Sequence, residues 1–222
     1  MKKISYFLVL LSCLHTVIIY SQEKETTTFK KTFKLGINAG GHYSYLGGDG
    51  GFGAFYNKNK YNYMFGVNAE LKIKKDWSLY ANLNYKPKHF RNEMTLLGPG
   101  GPISSEREFR FSYLELPVMA KYQIPNSFFY ANAGLYFAKL LSLKFYENGQ
   151  DTGENWIDDF NSLDMGLVLG AGFVFYENEK ETANLSLELR YIHGLTNISS
   201  QDGNGSNVIN AYTLQLNYNF TP

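Results

Sequence analysis

The chain has 222 residues, with 21 Lys and Arg against 20 Asp and Glu, a balance that leaves no basic footprint for nucleic acid. Its one cysteine, Cys13, excludes a disulfide within the chain. Beyond the first twenty-odd positions no apolar run approaches the ~20 residues that a transmembrane helix needs, and the length suits one domain.

Lys2 and Lys3 precede an apolar run from Ile4 to Tyr20, and Ser21-Gln22-Glu23-Lys24 follows it. A basic start, an apolar stretch and a small residue before a polar turn predict a signal peptide over 1–21, cleaved after Ser21. A single membrane anchor is the alternative, but Ser12, His15 and Thr16 interrupt a run already at the lower edge of spanning length. Leu10-Leu11-Ser12-Cys13 has the outline of a lipoprotein box, yet apolar residues continue to Ile19, so Cys13 is assigned to the leader. The mature chain then has no thiol and, without Lys2 and Lys3, a net charge of about −1. Residues 22–32 are polar and read as a flexible N-terminal segment ahead of a barrel domain over 33–222.

From there the chain alternates with period two, the signature of strands with distinct faces. The first strand sets Phe33, Leu35, Ile37, Ala39, Tyr43 and Tyr45 against Lys34, Asn38, His42 and Ser44. A glycine-rich loop from Gly47 leads to a second strand with Tyr61, Tyr63, Phe65, Val67, Ala69, Leu71 and Ile73 outward. After the turn Lys74-Lys75-Asp76, a third presents Trp77, Leu79, Ala81, Leu83 and Tyr85, with Ser78, Asn82, Asn84 and Lys86 behind. Leu96 to Glu108 reads as a second long loop. In the fourth strand Phe109, Phe111 and Tyr113 set one phase and Leu114, Leu116, Val118, Ala120 and Tyr122 the other, so a bulge near Tyr113 is expected to flip the register. Pro125-Asn126-Ser127 turns into a fifth strand, Phe128 to about Phe145, and a third polar loop runs from Tyr146 to Asn161.

The sixth strand carries the sharpest pattern. Leu163, Met165, Leu167, Leu169, Ala171, Phe173 and Phe175 are all apolar, while Asp164, Gly166, Val168, Gly170, Gly172 and Val174 are small, with one carboxylate. A greasy face and a cramped face fit a narrow membrane barrel, lipid outside and a filled lumen inside. Glu177 to Thr182 is a short turn. A seventh strand sets Leu185, Leu187, Leu189 and Tyr191 against Ser186, Glu188 and Arg190; a loop from Thr196 to Asn207 and an eighth strand with Tyr212, Leu214, Leu216, Tyr218 and Phe220 complete the chain. Eight strands with short and long connections in alternation predict an all-β, eight-stranded antiparallel transmembrane up-and-down β-barrel, short turns periplasmic and long loops outside. The 18 Tyr and 17 Phe suit interfacial girdles. A soluble barrel is disfavoured, because it would bury Asn82, Asn84, Lys86, Glu188 and Arg190 as its core or expose a belt of Phe, Leu and Tyr.

Four stretches carry a family resemblance: Tyr113-Leu-Glu-Leu-Pro-Val-Met-Ala-Lys-Tyr122, Asp164-Met-Gly-Leu-Val-Leu-Gly-Ala-Gly172, Leu189-Arg-Tyr-Ile-His-Gly-Leu-Thr-Asn-Ile198 and Leu216-Asn-Tyr-Asn-Phe220. With these the chain resembles the PorT-like outer-membrane β-barrel proteins of Bacteroidetes-type, Gram-negative bacteria. It departs from them at Asn82-Leu-Asn-Tyr85 with Lys86-Pro87, and in the Thr221-Pro222 that follows Phe220. The resemblance implies outer-membrane residence and, for PorT itself, service to type IX secretion.

Candidate chemistry is sparse. His42 and Ser44 share a face of the first strand, as the base and nucleophile of an outer-membrane lipid hydrolase would, but that face is the lumen and lipid lies outside. Gln201-Asp-Gly-Asn-Gly-Ser206 has the outline of a calcium loop, yet Asn207 stands where glycine is needed and Thr213 where the bidentate Glu belongs. No catalytic, cofactor-binding or metal residue is assigned, and no cofactor is expected. Glu70, Lys72, Lys86, Glu115, Lys121, Asp164, Glu188 and Arg190 take inward positions, and eight strands leave an interior only wide enough for side chains. Lys86, Glu115, Glu188 and Arg190 are expected to form one structural charge cluster, Lys86 against Glu115 directly and Arg190 reaching Glu115 across the lumen. The expected protein is an outer-membrane barrel with a structural or partner-binding role at the cell surface, not a general porin and not an enzyme. Outer-membrane lipid and lipopolysaccharide are its expected surroundings, with protein partners in the same membrane.

Overall fold

The computed structural model describes residues 32–49, 58–98, 101–180, 182–200 and 205–222; the expected leader, Cys13, most of the N-terminal segment and part of the calcium-like stretch lie outside them. The alternating stretches form β1 (Phe33–Gly47), β3 (Tyr61–Lys72), β4 (Trp77–Gly98), β5 (Gly101–Gln123), β6 (Phe129–Glu147), β8 (Leu163–Glu177), β9 (Ala183–Gly194) and β10 (Val208–Phe220), with two-residue strands β2 (Lys58–Asn59) and β7 (Gln150–Asp151) and a 3-10 turn at Ile157–Asp159. The eight long strands pair antiparallel in the order β4-β3-β1-β10-β9-β8-β6-β5, and β5 returns to β4. The sheet is therefore a closed eight-stranded barrel with no free edge along its wall.

Direct partners traced around the ring from Tyr43 run through Tyr212, Tyr191, Leu169, Ala133, Ala120, Leu79 and Leu71 to Phe33, ten positions before the start on the same strand. That stagger tilts the strands and keeps the interior narrow. Residues at equal height on different strands are thus not hydrogen-bonded partners, which decides below which charges meet.

Along β8 every odd residue from Leu163 to Phe175 points out, and Leu163, Met165, Leu167, Leu169, Phe173 and Phe175 are exposed. Ile37, Phe65, Val67, Leu83, Leu214 and Leu216 extend the same apolar wall. The cramped face of β8 has a specific use. A Cβ at Gly172 would lie 2.5 Å from the Tyr130 ring and one at Gly166 2.7 Å from the Tyr136 ring, so these glycines are where two lumen tyrosines lie flat against the wall.

Two expectations need correction. Leu96–Glu108 is not a loop: β4 and β5 continue as a hairpin whose pairing reaches Gly98↔Gly101. The expected bulge does lie between Ser112 and Tyr113, but the extra residue is Leu141 on the partner strand, since Ser112 pairs with Ser142 and Tyr113 with Leu140. β5 keeps its alternation throughout, and Phe109, Phe111 and Tyr113 point inward in phase with Glu115, Met119 and Lys121. The change at Tyr113 is one of polarity, not register. Leu140 points in, Leu141 and Ser142 both point out, and Leu143 and Phe145 point in again, so the phase flip belongs to β6.

Candidate functional site

The interior is the candidate site, and it is layered. At the level of β5's lower half, Lys121 Nζ donates to Glu70 Oε2 at 2.9 Å and sits over the rings of Tyr130 and Tyr80 at 4.2 and 5.2 Å. Above it Glu188 accepts hydrogen bonds from Arg190 Nε, from Asn132 Nδ2 at 2.8 Å and from Tyr130 OH at 3.0 Å. Arg190 Nη2 reaches across to Asn82 Oδ1 at 2.9 Å, and its guanidinium lies 5.6 Å from the Tyr80 ring. Tyr80 OH in turn donates to Asn217 Oδ1 at 3.2 Å. Apart from the partly exposed Glu70 these groups are buried, and the cation–π contacts and charge-assisted bonds take the place of water around each ion.

The upper layer is built on Lys86, whose ammonium donates to Glu115 Oε1 and Thr213 Oγ1, both at 3.1 Å. Lys88, two residues on and on the same face, lies 3.9 Å from Glu115 Oε2, 3.6 Å from Asp164 Oδ2 and 4.5 Å above the Tyr113 ring. Tyr136 OH donates to Asp164 Oδ1 at 3.1 Å. Lys86, Lys88, Lys121 and Arg190 thus face Glu70, Glu115, Asp164 and Glu188, four cations to four carboxylates, and the lumen neutralises itself.

All four residues of the expected cluster are in the lumen. The structure pairs Lys86 with Glu115 and Arg190 with Glu188, as two neighbouring layers. Arg190 bonds to Asn82 and Glu188, not to Glu115, because the ten-residue stagger sets β9's Arg190 lower in the lumen than its count from the short turn implies. Lys88, Asp164 and the tyrosines Tyr80, Tyr130 and Tyr136 complete the network. Lys88 was legible as the i+2 continuation of Lys86. The tyrosines were hidden by their usual place in girdles.

Above Lys88 the chemistry changes. Phe90, Phe109, Phe111, Leu140, Leu143, Phe145, Phe160, Ile198 and Ile209 form one buried apolar cluster. Phe111 packs edge-on to Phe90 and Phe160, with centroids 5.7 and 5.0 Å away. Phe109 lies 4.8 Å from Phe145 and 5.8 Å from Phe160, and Trp156 closes over Phe145 at 5.8 Å. On the outside of this dome the strands turn polar. Glu108 gathers Lys60 and Arg110 at 2.8 Å and His89 at 3.4 Å, Arg91 meets Glu106 at 2.9 Å, and Arg107 meets Glu147 at 3.1 Å.

His42 and Ser44 are also in the lumen, buried, with Nδ1 and Oγ 2.9 Å apart. No carboxylate among the described residues bonds either ring nitrogen, so none orients the imidazole as a catalytic base needs. Among the described residues no group of His, Cys, Asp and Glu is arranged to hold a metal ion.

A family profile described as outer membrane protein beta-barrel domain matches residues 20–200. No curated protein matches the chain. Similar solved structures include Ail of Yersinia pestis in complex with the heparin analogue sucrose octasulfate, at 18% identity over 85% of this chain and 99% of that one, TM-score 0.42. OprG of Pseudomonas aeruginosa follows at 15% identity over 86% and 98%, TM-score 0.41. Neisserial surface protein A is 11% identical over 86% and 97%, TM-score 0.43.

Proposed function

We propose that this chain, which belongs to the outer membrane protein beta-barrel domain family, is a filled-lumen barrel with a structural or partner-binding role at the cell surface, neither a general porin nor an enzyme. The observation that carries the reading is the interior: a self-neutralising ladder of buried side chains, closed above by an apolar dome. A porin needs a continuous water path, and here the cross-section is occupied at two successive levels. The short turns then face the periplasm, the dome stands outside, and lipid with lipopolysaccharide surrounds the wall. Export by a cleaved signal peptide over 1–21 belongs to the same reading. The test is conductance: purified protein in planar bilayers gives no steady open channel, whereas sustained single-channel steps overturn the proposal.

The four motifs shared with PorT-like proteins support a second, narrower reading, in which the partner is a component of a type IX-like secretion machine. A pull-down from solubilised membranes that recovers no such component removes it. The hydrolase reading has only the 2.9 Å contact between His42 and Ser44 in its favour, and both side chains face away from lipid. Unchanged lipid A composition after His42→Ala with Ser44→Ala is the expected result.

A further inference from the structure

The outward faces of β4, β5 and β6 change in the same order as they leave the apolar wall. On β4 Tyr85 and Pro87 are followed by His89 and Arg91, and then by Glu93. On β5, read upward, Leu116 and Leu114 give way to Ser112 and Arg110, and then to Glu108 and Glu106. On β6 Phe137 is followed by Lys139, then Leu141, Ser142 and Lys144, and Asp151 of β7 stands across from the next outward residue, Tyr146. Cations form the lower course of this flank and carboxylates the upper one. The ion pairs run the same way: Arg110 reaches up to Glu108, Arg91 to Glu106 and Lys144 to Asp151. Below Arg110 and Lys144 no outward residue of β5 or β6 is a carboxylate.

The lower course lies where the membrane ends. Ten positions separate Phe129, on the short-turn side of β6, from Lys139. At a rise of about 3.3 Å per residue and a tilt of roughly 40°, that span is about 25 Å along the barrel axis, the height of an apolar band. The stagger gives the same level. Eight steps around the ring descend ten residues, so the four steps from Tyr43 to Ala133 descend about five, and the β6 residue level with Tyr43 lies near 138. Tyr43 and Tyr61, with ring centroids 5.1 Å apart, belong to the girdle on the far side. On β6 the girdle position is taken by a lysine.

Lys139 is exposed, and no hydrogen bond or ion pair joins it to any described residue. Its direct partners are Leu114 and Leu163, both apolar and exposed, so its stem lies on the greasy wall while its ammonium reaches upward. One rung above, Ser112 and Ser142 face each other, and on the next Arg110 faces Lys144. Tyr85 OH donates to Ser112 Oγ at 3.1 Å, which leaves the serine's own hydrogen to donate. Like charges set opposite each other on a ladder repel. Glu108 and Asp151 balance Arg110 and Lys144 from above, at 2.8 and 3.0 Å. Nothing on these strands balances them, or Lys139, from below.

We propose that this flank holds the phosphorylated headgroup of an outer-leaflet lipid, with Lys139, Ser112, Ser142 and Arg110 around the phosphate and the acyl chains on Leu114 and Leu163. A phosphate supplies the negative charge missing from below and accepts hydrogen bonds from ammonium, hydroxyl and guanidinium donors together. The occupant is a lipid because the cationic course is continuous with the apolar wall beneath it. The proposal rests on the reading that the dome stands outside the membrane, and it asks nothing of the lumen.

Native mass spectrometry of the purified protein, titrated with bisphosphorylated lipid A, reads the binding, and heat-modifiable gel mobility confirms folding. Lys139→Gln is expected to weaken binding at least fivefold and Lys139→Arg to preserve it. Arg110→Gln is expected to weaken it severalfold, whereas Lys75→Gln, in a short turn at the other end of the barrel, leaves it unchanged. Dephosphorylated lipid A is expected to bind at least tenfold more weakly and to be indifferent to Lys139→Gln. Equal affinities of the unmodified and Lys139→Gln proteins, or of the two lipids, overturn the site. Inorganic phosphate that displaces lipid A at equal concentration reveals a free-anion site and overturns the lipid. Orientation is tested separately by Gln150→Cys, in a chain carrying Cys13→Ser, with an impermeant maleimide on intact cells. Labelling only after lysis overturns the outward dome and with it the outer-leaflet lipid, whereas failure of the lipid titration leaves the outward dome and the filled lumen standing.

Discussion

Strand β5 passes through two environments, and its side chains trade places between them. In its second half Leu114, Leu116 and Val118 face out while Glu115 and Lys121 face in; in its first half Arg110 faces out, with Glu108 on the same side buried among Lys60, His89 and Arg110, while Phe109 and Phe111 face in. The backbone alternation is the same in both halves. What changes is the solvent beyond the wall, lipid around the lower half and water around the upper, and the apolar side chains go to whichever side is dry. The lower storey is an inverted protein with a polar core. The upper storey is an ordinary small β-protein grafted onto the same strands.

The comparison breaks first at the buried charges. Arg190→Ala leaves Glu188 with only Asn132 and Tyr130, and removing one member of a buried pair costs about 3–5 kcal/mol. Urea unfolding followed by gel mobility measures it. Arg190→Ala and Glu115→Ala remove groups that share no hydrogen bond or ion pair, so their coupling is expected to stay below about 1 kcal/mol. Lys86→Ala and Glu115→Ala, bonded at 3.1 Å, fall short of additivity by about 1 kcal/mol or more. Coupling between Arg190 and Glu115 as large as that of the bonded pair merges the two layers into one.

Next in size is the wall. Leu169→Arg puts a cation on the exposed apolar face of β8 and costs about 2–4 kcal/mol where that face meets lipid. Ser142→Arg, also outward but beside the bulge beneath the dome's polar flank, changes stability by less than about 0.5 kcal/mol. Similar losses at the two positions place both in the same solvent and remove the boundary drawn between them.

Smaller again are the ion pairs on the outside of the dome. Arg107 and Glu147 are about half exposed, and such pairs are worth about 0–1 kcal/mol. Arg107→Ala therefore leaves urea resistance nearly unchanged, a tenth or so of the effect of Arg190→Ala. A loss comparable to that of Arg190 makes the dome's surface pairs as essential as the lumen's.

The barrel was legible because period two is a local property: each strand reports its own greasy face, and β8 did so without exception. Lys86 opposite Glu115 was legible for the same reason, since their strands are neighbours. Arg190 against Asn82 was not, because it depends on the ten-residue stagger that accumulates around the ring and no single strand encodes it. The dome was missed for a different reason. Phe109, Phe111 and Tyr113 read as one phase and Leu114 and Leu116 as the other, and a bulge near Tyr113 is needed to reconcile them only if one solvent surrounds the whole strand. A polarity switch within an unbroken alternation is the signal that marks where a strand leaves the membrane.

The smallest expected effect sharpens the upper storey's rim. Gly48 adopts φ 96°, and a Cβ there would lie 2.9 Å from the carbonyl carbon of Ser206, so glycine lets the two loop ends approach. The next residue, Asp49, accepts a hydrogen bond from Ser206 N–H at 2.8 Å, and that bond holds its carboxyl below the ordinary aspartate range. A carboxylate whose folded value is depressed stabilises the fold above its unfolded value and loses that contribution as pH falls through the folded one. The bond between Asp49 and Ser206 is therefore complete at neutral pH and releases only in acid, below the unperturbed value of about 3.9. The Ser206 amide resonance, followed from pH 7 downwards, titrates with its midpoint beneath that value, and Asp49→Asn abolishes the titration while lowering urea resistance only slightly. A midpoint at or above the ordinary range means that the amide does not bind the carboxylate in solution, and the rim is then held by Gly48's close approach alone.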